Sequence, residues 1–451
     1  MSDGKPRRRS IFAPLLLIAL GTLLLMAEFR PDLPVWQWFA DYWPVLLILW
    51  GVAKLIDYFM ARQAGEGTPR GLTGGEVFLL LLILFFGASL SGMHWAREQW
   101  PDFDFTMGPF DRRFSFPASL PARAVRPNAR ISVNTDRGDI TVQATEAAEV
   151  RVAANKSVAA MNEEEARRRA DSVEIAIQDV AEGYEIKPVV NSDSQRGVRV
   201  DLDVQVPQQA SLLAKTERGE ARITGVTGPV TVNASNGAEI RTIGGNVEAE
   251  VRRGNVRVLG ARGNVRIGGR GREIEVADIS GEASIQGEFF GPIRVKNAAT
   301  GVRFLSRRTD LTVPSLPGRL ETSGGSVEIE DAPRGVNLIT RDKDILLENV
   351  AGRIRIQNRH GNIQVRFRQA PQEEINIENE SGSIELVLPP DSEFELSASS
   401  RNSEIESEFQ SASARRTDDR RTSTLEMKVG TRGPRIQLRT THDTIRIRKG
   451  S

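Results

Sequence analysis

The segment Gly254-Asn255-Val256-Arg257-Val258 is answered nine residues later by Gly263-Asn264-Val265-Arg266-Ile267, and the plan returns in Gly361-Asn362-Ile363-Gln364-Val365. In each, two branched apolar residues flank one polar residue. Successive side chains of a strand point to opposite faces, so Val256 and Val258 share one face and Arg257 takes the other. The valines pack inward while the arginine stays wet. A Gly or Asn before each strand supplies the positive-φ corner of a tight turn. A strand of about four or five residues and a turn of about four fill the nine-residue step.

The step continues in both directions. From residue 223 the centres of the apolar-x-apolar pairs fall near 223, 231, 239, 248, 257, 266, 275, 284, 294, 303 and 312, and after a gap near 328, 337, 346, 355 and 364. Such self-similarity marks a repeat architecture, in which each unit buries its apolar face only by stacking on neighbours. About two or three units would close one coil of a β-solenoid. An antiparallel sandwich, whose strands recur every roughly 8–12 residues, is the alternative, but its strands vary more in length. The expected ectodomain is all-β and solenoid-like over residues 131–449, with one short helix. Asn162 caps that helix, which runs through Glu163-Glu164-Glu165-Ala166-Arg167-Arg168-Arg169, with Glu165 placed for a capping box and three Glu–Arg pairs at i,i+4. A charge run of this kind is ordinarily a solvated helix face.

The first 93 residues are built differently. All six Trp of the 451-residue chain lie within the first hundred positions, and three apolar runs occupy about 11–27, 43–60 and 75–93. A bilayer core takes about 20 apolar residues of helix, reaching down to about 17, so the third run fits well and the first two are short. No small-x-small cleavage site follows the first run, which ends Met26-Ala27-Glu28-Phe29-Arg30-Pro31. Lys5, Arg7, Arg8 and Arg9 before the first run, and Lys54, Arg62 and Arg70 in the stretch from Lys54 to Glu76, make those sides the cytoplasmic ones. The amino terminus is then cytoplasmic and the chain after Met93 extracytoplasmic. Trp36, Trp38, Trp43, Trp95 and Trp100 fall at the outer membrane interface, where an indole buries its ring and keeps its N–H wet. Trp50, inside a run, has no such explanation. Two alternatives stay open: the first two runs form a hairpin that does not fully cross, or the third alone anchors the chain. Residues 94–130, with Pro101, Pro109, Pro117, Pro121 and Pro127 among five Phe, read as an extended linker.

Composition narrows the chemistry. With no Cys and three His (His94, His360, His442), thiol and His-rich metal chemistry start poorly, and no Walker A, GxSxG or HExxH motif is present. We expect no enzyme activity, no cofactor, no metal and no nucleic-acid partner. The formal net charge of +1 resides in the first 93 residues, which hold 8 Lys and Arg against 7 Asp and Glu. The candidate anionic-ligand face is the acid-free segment from Arg252 to Arg272, in which Arg257 and Arg266 take outward strand positions flanked by Arg252 and Arg262. A ladder of this kind would pair with phosphate or uronate groups. The bland reading is a solvated face balanced by Glu248, Glu250, Glu273 and Glu275. The same-face pairs Asp201/Asp203 and Glu328/Glu330 would suit glycoside hydrolysis or calcium, but outward strand positions are commonly charged.

Two resemblances accompany these readings. Over about residues 10–60, PLLLIALGTLLL, an acidic-aromatic loop and Tyr42-Trp43-Pro44 followed by VLLILWG resemble the membrane segment of bacterial envelope-stress proteins of the LiaI/LiaF type. Over roughly residues 130–449, Ser381-Gly382-Ser383-Ile384-Glu385-Leu386-Val387-Leu388-Pro389, Val198 to Pro207 and Gly433 to Thr440 resemble the bacterial putative-adhesin domain, a family without assigned activity. Together they imply a membrane-anchored, non-enzymatic binding or scaffold module of the cell envelope, its partners being the lipid bilayer and envelope polymers or another membrane protein. Envelope-stress sensing is the alternative, and a polysaccharide-active β-helix enzyme a remote one.

Overall fold

The structure, a computed structural model, describes residues 112–181, 183–190, 197–419 and 421–450. The apolar runs at 11–27, 43–60 and 75–93, the tryptophans Trp36, Trp38, Trp43, Trp95 and Trp100, and linker residues 94–111 lie outside the described residues. The chain divides into two compact units, residues 1–106 and 107–451, and the described residues all belong to the second.

The organising period of this unit is 18, twice the step seen in sequence. Val256 pairs with Ile274 and Val247 with Val265, each in parallel register. Consecutive strands therefore belong to different sheets. The chain climbs as a two-sided coil, with one strand in a front sheet and the next in a back sheet. Parallel stacking at constant register matches the expected solenoid and not the antiparallel sandwich. Every centre read from sequence falls within a strand. The gap between 312 and 328 is where the coil reverses: Asp310–Val313 and Leu316–Thr322 run antiparallel to their neighbours on both sides, joining two parallel stacks.

Constant register sets like over like. Ile223, Ile240, Val258, Val276 and Val295 form one inward column of the front sheet, and Val232, Ala249, Ile267, Ile285 and Phe304 one of the back sheet. All are buried. Each large aliphatic side chain withdrawn from water contributes about 1.5–3 kcal/mol.

The corners have their own columns. Thr242, Gly260, Asp278 and Asn297 follow at one-coil intervals with φ of 55°, 74°, 56° and 53°, and Asp331 and Asn349 repeat the corner in the second stack. The Asn297 side-chain amide donates to Asp278 Oδ1 at 3.0 Å, and Asn349 donates to Asp331. The expected Gly-Asn corner needs correction. Gly254 (φ 87°) and Gly361 (φ 118°) are left-handed, but Gly263 is not. The asparagines act through side chains instead: Asn246 Oδ1 accepts the Asn264 N–H at 2.9 Å, and Asn264 Oδ1 accepts the Glu282 N–H at 3.0 Å. Asn thus stitches coil to coil.

Both ends of the stack are interlocked and capped. The coil Arg130–Thr145 lies between later ones: Ile140 pairs with Leu202 on one side and Ala221 on the other, and Ile131 pairs with Tyr184 and Leu212. At the far end Ile436 pairs with Ile375 and Leu396, and Ile445 with Ile384 and Ile405. Antiparallel strands then close the ladder edges, which would otherwise template further pairing. Glu149–Ala160 and Val173–Val180 do so at one end, with the helix Glu163–Asp171 turning Ala166 and Ala170 inward. Thr422–Val429 and Arg415–Asp419 do so at the other, beside an edge-to-face contact of Phe394 and Phe409 at 5.1 Å.

Two local expectations change. Asn162 caps the helix by accepting the Glu165 N–H at 2.9 Å, but the Glu165 carboxylate turns to Arg169, the one of the three i,i+4 pairs that forms. From Arg112 the expected linker is folded: Arg112–Ser119 pairs antiparallel with Glu149–Ala160, and Phe114 and Phe116 pack on the core. Pro117 is accommodated because this strand is an edge.

A Cβ on Gly254 would sit 1.6 Å from the Asn236 carbonyl oxygen at a left-handed φ, whereas one on Gly324 meets nothing within 4 Å. Gly254→Ala should cost at least about 2 kcal/mol in denaturant unfolding and Gly324→Ala less than about 0.5 kcal/mol.

Candidate functional site

The coil presents two outward faces of different chemistry. On the front sheet one row carries Arg222, Glu239, Arg257, Glu275, Arg294 and Glu321 on successive strands. The signs alternate, and the charges meet. Arg257 Nε lies 2.7 Å from Glu275, and Arg294 reaches Glu321 at 3.1 Å and also pairs with Glu273. The neighbouring row adds Arg319–Glu330 at 2.9 Å and Arg366–Glu348 at 3.1 Å. The hydrogen bond to Glu275 holds the Arg257 guanidinium pKa above its ordinary value.

This arrangement corrects the expected basic ladder. Nine residues are half a coil, so Arg257 stands on the front sheet and Arg266 on the back. Arg252 and Arg262 are exposed in turns between strands and extend neither row. The four arginines form no common face. The balance by neighbouring glutamates holds for Arg257.

The back face is sparser in charge. Its central row reads Thr231, Glu248, Arg266, Ser284, Arg303 and Thr312 on successive strands, and continues through Asn337, Arg355 and Asn376. Arg266, Arg303 and Arg355 are exposed, and among the described residues no ion pair engages them. Sequence reasoning found Arg266 and missed the other two. Comparison at 18–19 residues, which leads from Arg266 through Ser284 to Arg303, was the signal.

One carboxylate of each candidate pair has a structural partner. Asp201 accepts the Asp139 N–H at 2.8 Å and Arg199 Nε at 2.9 Å, and Glu330 holds Arg319. His360 and His442 lie in one column with Ser381 between them; His360 Nδ1 is 2.8 Å from Asp342 Oδ1 and both histidines are exposed. A half-open cavity of about 490 Å³ sits at the N-terminal end of the stack, lined by Asn134, Arg137, Lys187, Val200 and Arg218 among others. Glu185 supports its wall, bonded to Lys187 at 2.6 Å and to Asn134 at 2.8 Å.

Residues 128–448, well over half of the chain, match the family model described as Toastrack DUF4097. The chain belongs to the Toastrack family. Residues 11–55 match the LiaI-LiaF-like transmembrane region, so a membrane anchor accompanies the Toastrack domain. Among solved structures, a putative adhesin from Parabacteroides distasonis aligns at 10% identity over 74% of this chain and 97% of its own, with a TM-score of 0.23. A putative adhesin from Bacteroides fragilis aligns at 10% identity over 74% and 97%, TM-score 0.18. A putative cell adhesion protein from Clostridium sporogenes aligns at 6% identity over 75% and 100%, TM-score 0.15. Overlap at this level says nothing of function. No curated protein matches the chain.

Two outcomes test the geometry of the Toastrack domain. Arg257→Ala removes an exposed pair, so it should change unfolding free energy by no more than about 1 kcal/mol. The hydrogen bond from Lys187, opposed by partial burial, sets the Glu185 carboxyl below its ordinary pKa. A depressed carboxyl contributes stability that is present above its unfolded pKa and lost as pH falls through the folded value. Glu185→Gln should therefore lower the thermal midpoint at pH 7, and its difference from wild type should vanish on acidification below the carboxylate range.

Proposed function

We propose that this protein is a non-enzymatic binding scaffold of the bacterial cell envelope, anchored in the cytoplasmic membrane and presenting its Toastrack domain outside the cytoplasm. Three spans, at about 11–27, 43–60 and 75–93, carry it, with the amino terminus cytoplasmic and Trp36, Trp38, Trp43, Trp95 and Trp100 at the outer interface. The supporting observation is that, among the described residues, each of the two sheets holds 17 strands and repeats its outward positions in regular rows. At a strand spacing of ~4.8 Å such a face runs for roughly 75 Å, the scale of a polymer-binding surface and not of a small-molecule site. Envelope polymers or another membrane protein are the partners that such a face suits, and nucleic acid is not among them.

A second reading draws on the LiaI-LiaF-like match at 11–55: the protein modulates an envelope-stress response through contacts between spans. Gly21, Gly51 and Gly87 would allow close helix approach there.

Deletion of residues 112–451 separates the readings. The scaffold reading expects intact protein, and not the truncated anchor, to sediment with isolated envelope material after detergent extraction. Equal sedimentation of the two overturns it. The modulating reading expects Gly21→Leu or Gly51→Leu to alter stress-gene expression with the Toastrack domain untouched.

A further inference from the structure

The cations of the two faces are held differently. On the front face each arginine of the central row stands between acids and is taken up by them, as Arg257 is by Glu275 and Arg294 by Glu321 and Glu273. On the back face the corresponding row leaves Arg266, Arg303 and Arg355 exposed and, among the described residues, without an ion pair, separated by Ser284, then by Thr312 and Asn337. Glu248 precedes Arg266 on the neighbouring strand but makes no ion pair with it.

From Arg266 to Arg303 is two strand steps, about 10 Å, and from Arg303 to Arg355 three steps, about 14 Å. The intervening Ser284 and Thr312 are short hydroxyl side chains, so the guanidinium groups stand as posts above a low polar floor. An anion seated over Ser284 is within reach of both Arg266 and Arg303, each offering a planar fork of donors that fits phosphate or carboxylate oxygens. Isolated anions would need one such seat. A line of three posts along the stacking axis suits a linear chain that repeats its charge.

Resting on the scaffold reading above, we infer that the back face of the Toastrack domain binds a linear anionic glycan or polyol polymer of the envelope, through Arg266, Arg303 and Arg355 as its anion contacts. The hydroxyls of Ser284 and Thr312 and the amide of Asn337 meet the uncharged parts of the chain between the anions. Phosphodiester and uronate polymers share the required chemistry.

The test uses full-length protein in nanodiscs of zwitterionic lipid, presented to immobilised poly(glycerol phosphate), polygalacturonate and neutral dextran. A triple variant, Arg266→Gln, Arg303→Gln and Arg355→Gln, is compared with a front-face variant, Arg257→Gln and Arg294→Gln. The back-face triple should lose at least about tenfold in affinity for one or both anionic polymers and show a weaker salt dependence, while the front-face variant stays within about twofold. The phosphate and uronate arms then identify the anion. Equal loss in both variants, or no loss in the triple, overturns the assignment. Retention on dextran alone overturns the anionic inference and leaves the scaffold reading standing. Retention on none of the three overturns the inference too, and the scaffold reading then depends on the sedimentation result. Matching thermal midpoints of the two variants exclude unfolding as the cause of a loss.

Discussion

Parallel strand pairing at a recurring interval of 18 residues, drifting only between 17 and 21 along the two stacks, is the constraint on which most else in this structure depends. Once Val256 is hydrogen-bonded into register above Ile274, every neighbour in the coil is committed. Inward residues must be apolar because they face only one another, and corner residues must accept left-handed backbone because the corner recurs at the same place. Outward residues inherit a partner one strand away, which is why Arg222 meets Glu239 and Arg257 meets Glu275 without any specific loop or pocket. A single slip of register would turn the valines outward and the arginines inward together. The fold is thus specified collectively, one rung by the next.

Much of this was legible in the chain. The apolar alternation located the strands, and Asn162 located the helix start. The reversal at Asp310–Thr322 showed itself as a gap in the period. What could not be read was how many steps make a coil, because a nine-residue step is compatible with two or three strands per turn. That single integer decides which side chains are neighbours, so Arg257 and Arg266 were set together when they are on opposite sheets. The charge sequence held the answer: Glu239, Arg257, Glu275 and Arg294 alternate in sign at intervals of 18, 18 and 19, the spacing that makes them neighbours on successive strands of one sheet. The interlocked ends were illegible for another reason, since pairing Ile140 with Leu202 depends on a distant coil and leaves no local trace.

The two faces express different uses of the same scaffold. In front, salt bridges across strands commit charge to the protein itself; each exposed pair is worth little alone, but the row leaves scant unsatisfied potential for a ligand. Behind, hydroxyl and amide side chains dominate the central row, and its three arginines enter no ion pair among the described residues. A repeat that enforces like over like would by default make both faces uniform. The isolated arginines at Arg266, Arg303 and Arg355 break the uniformity on one side only.

The tucked coils also determine how the molecule bears load. Tension arriving from the N-terminal side first meets Arg112–Ser119, an edge strand that can be peeled one hydrogen bond at a time. Behind it stands Arg130–Thr145, gripped on both sides by strands that come later in the chain. Drawing that coil out means shearing two ladders at once, as pulling a thread from the middle of a weave is harder than from its hem. A tethered protein built this way yields a short length of slack under tension and then holds.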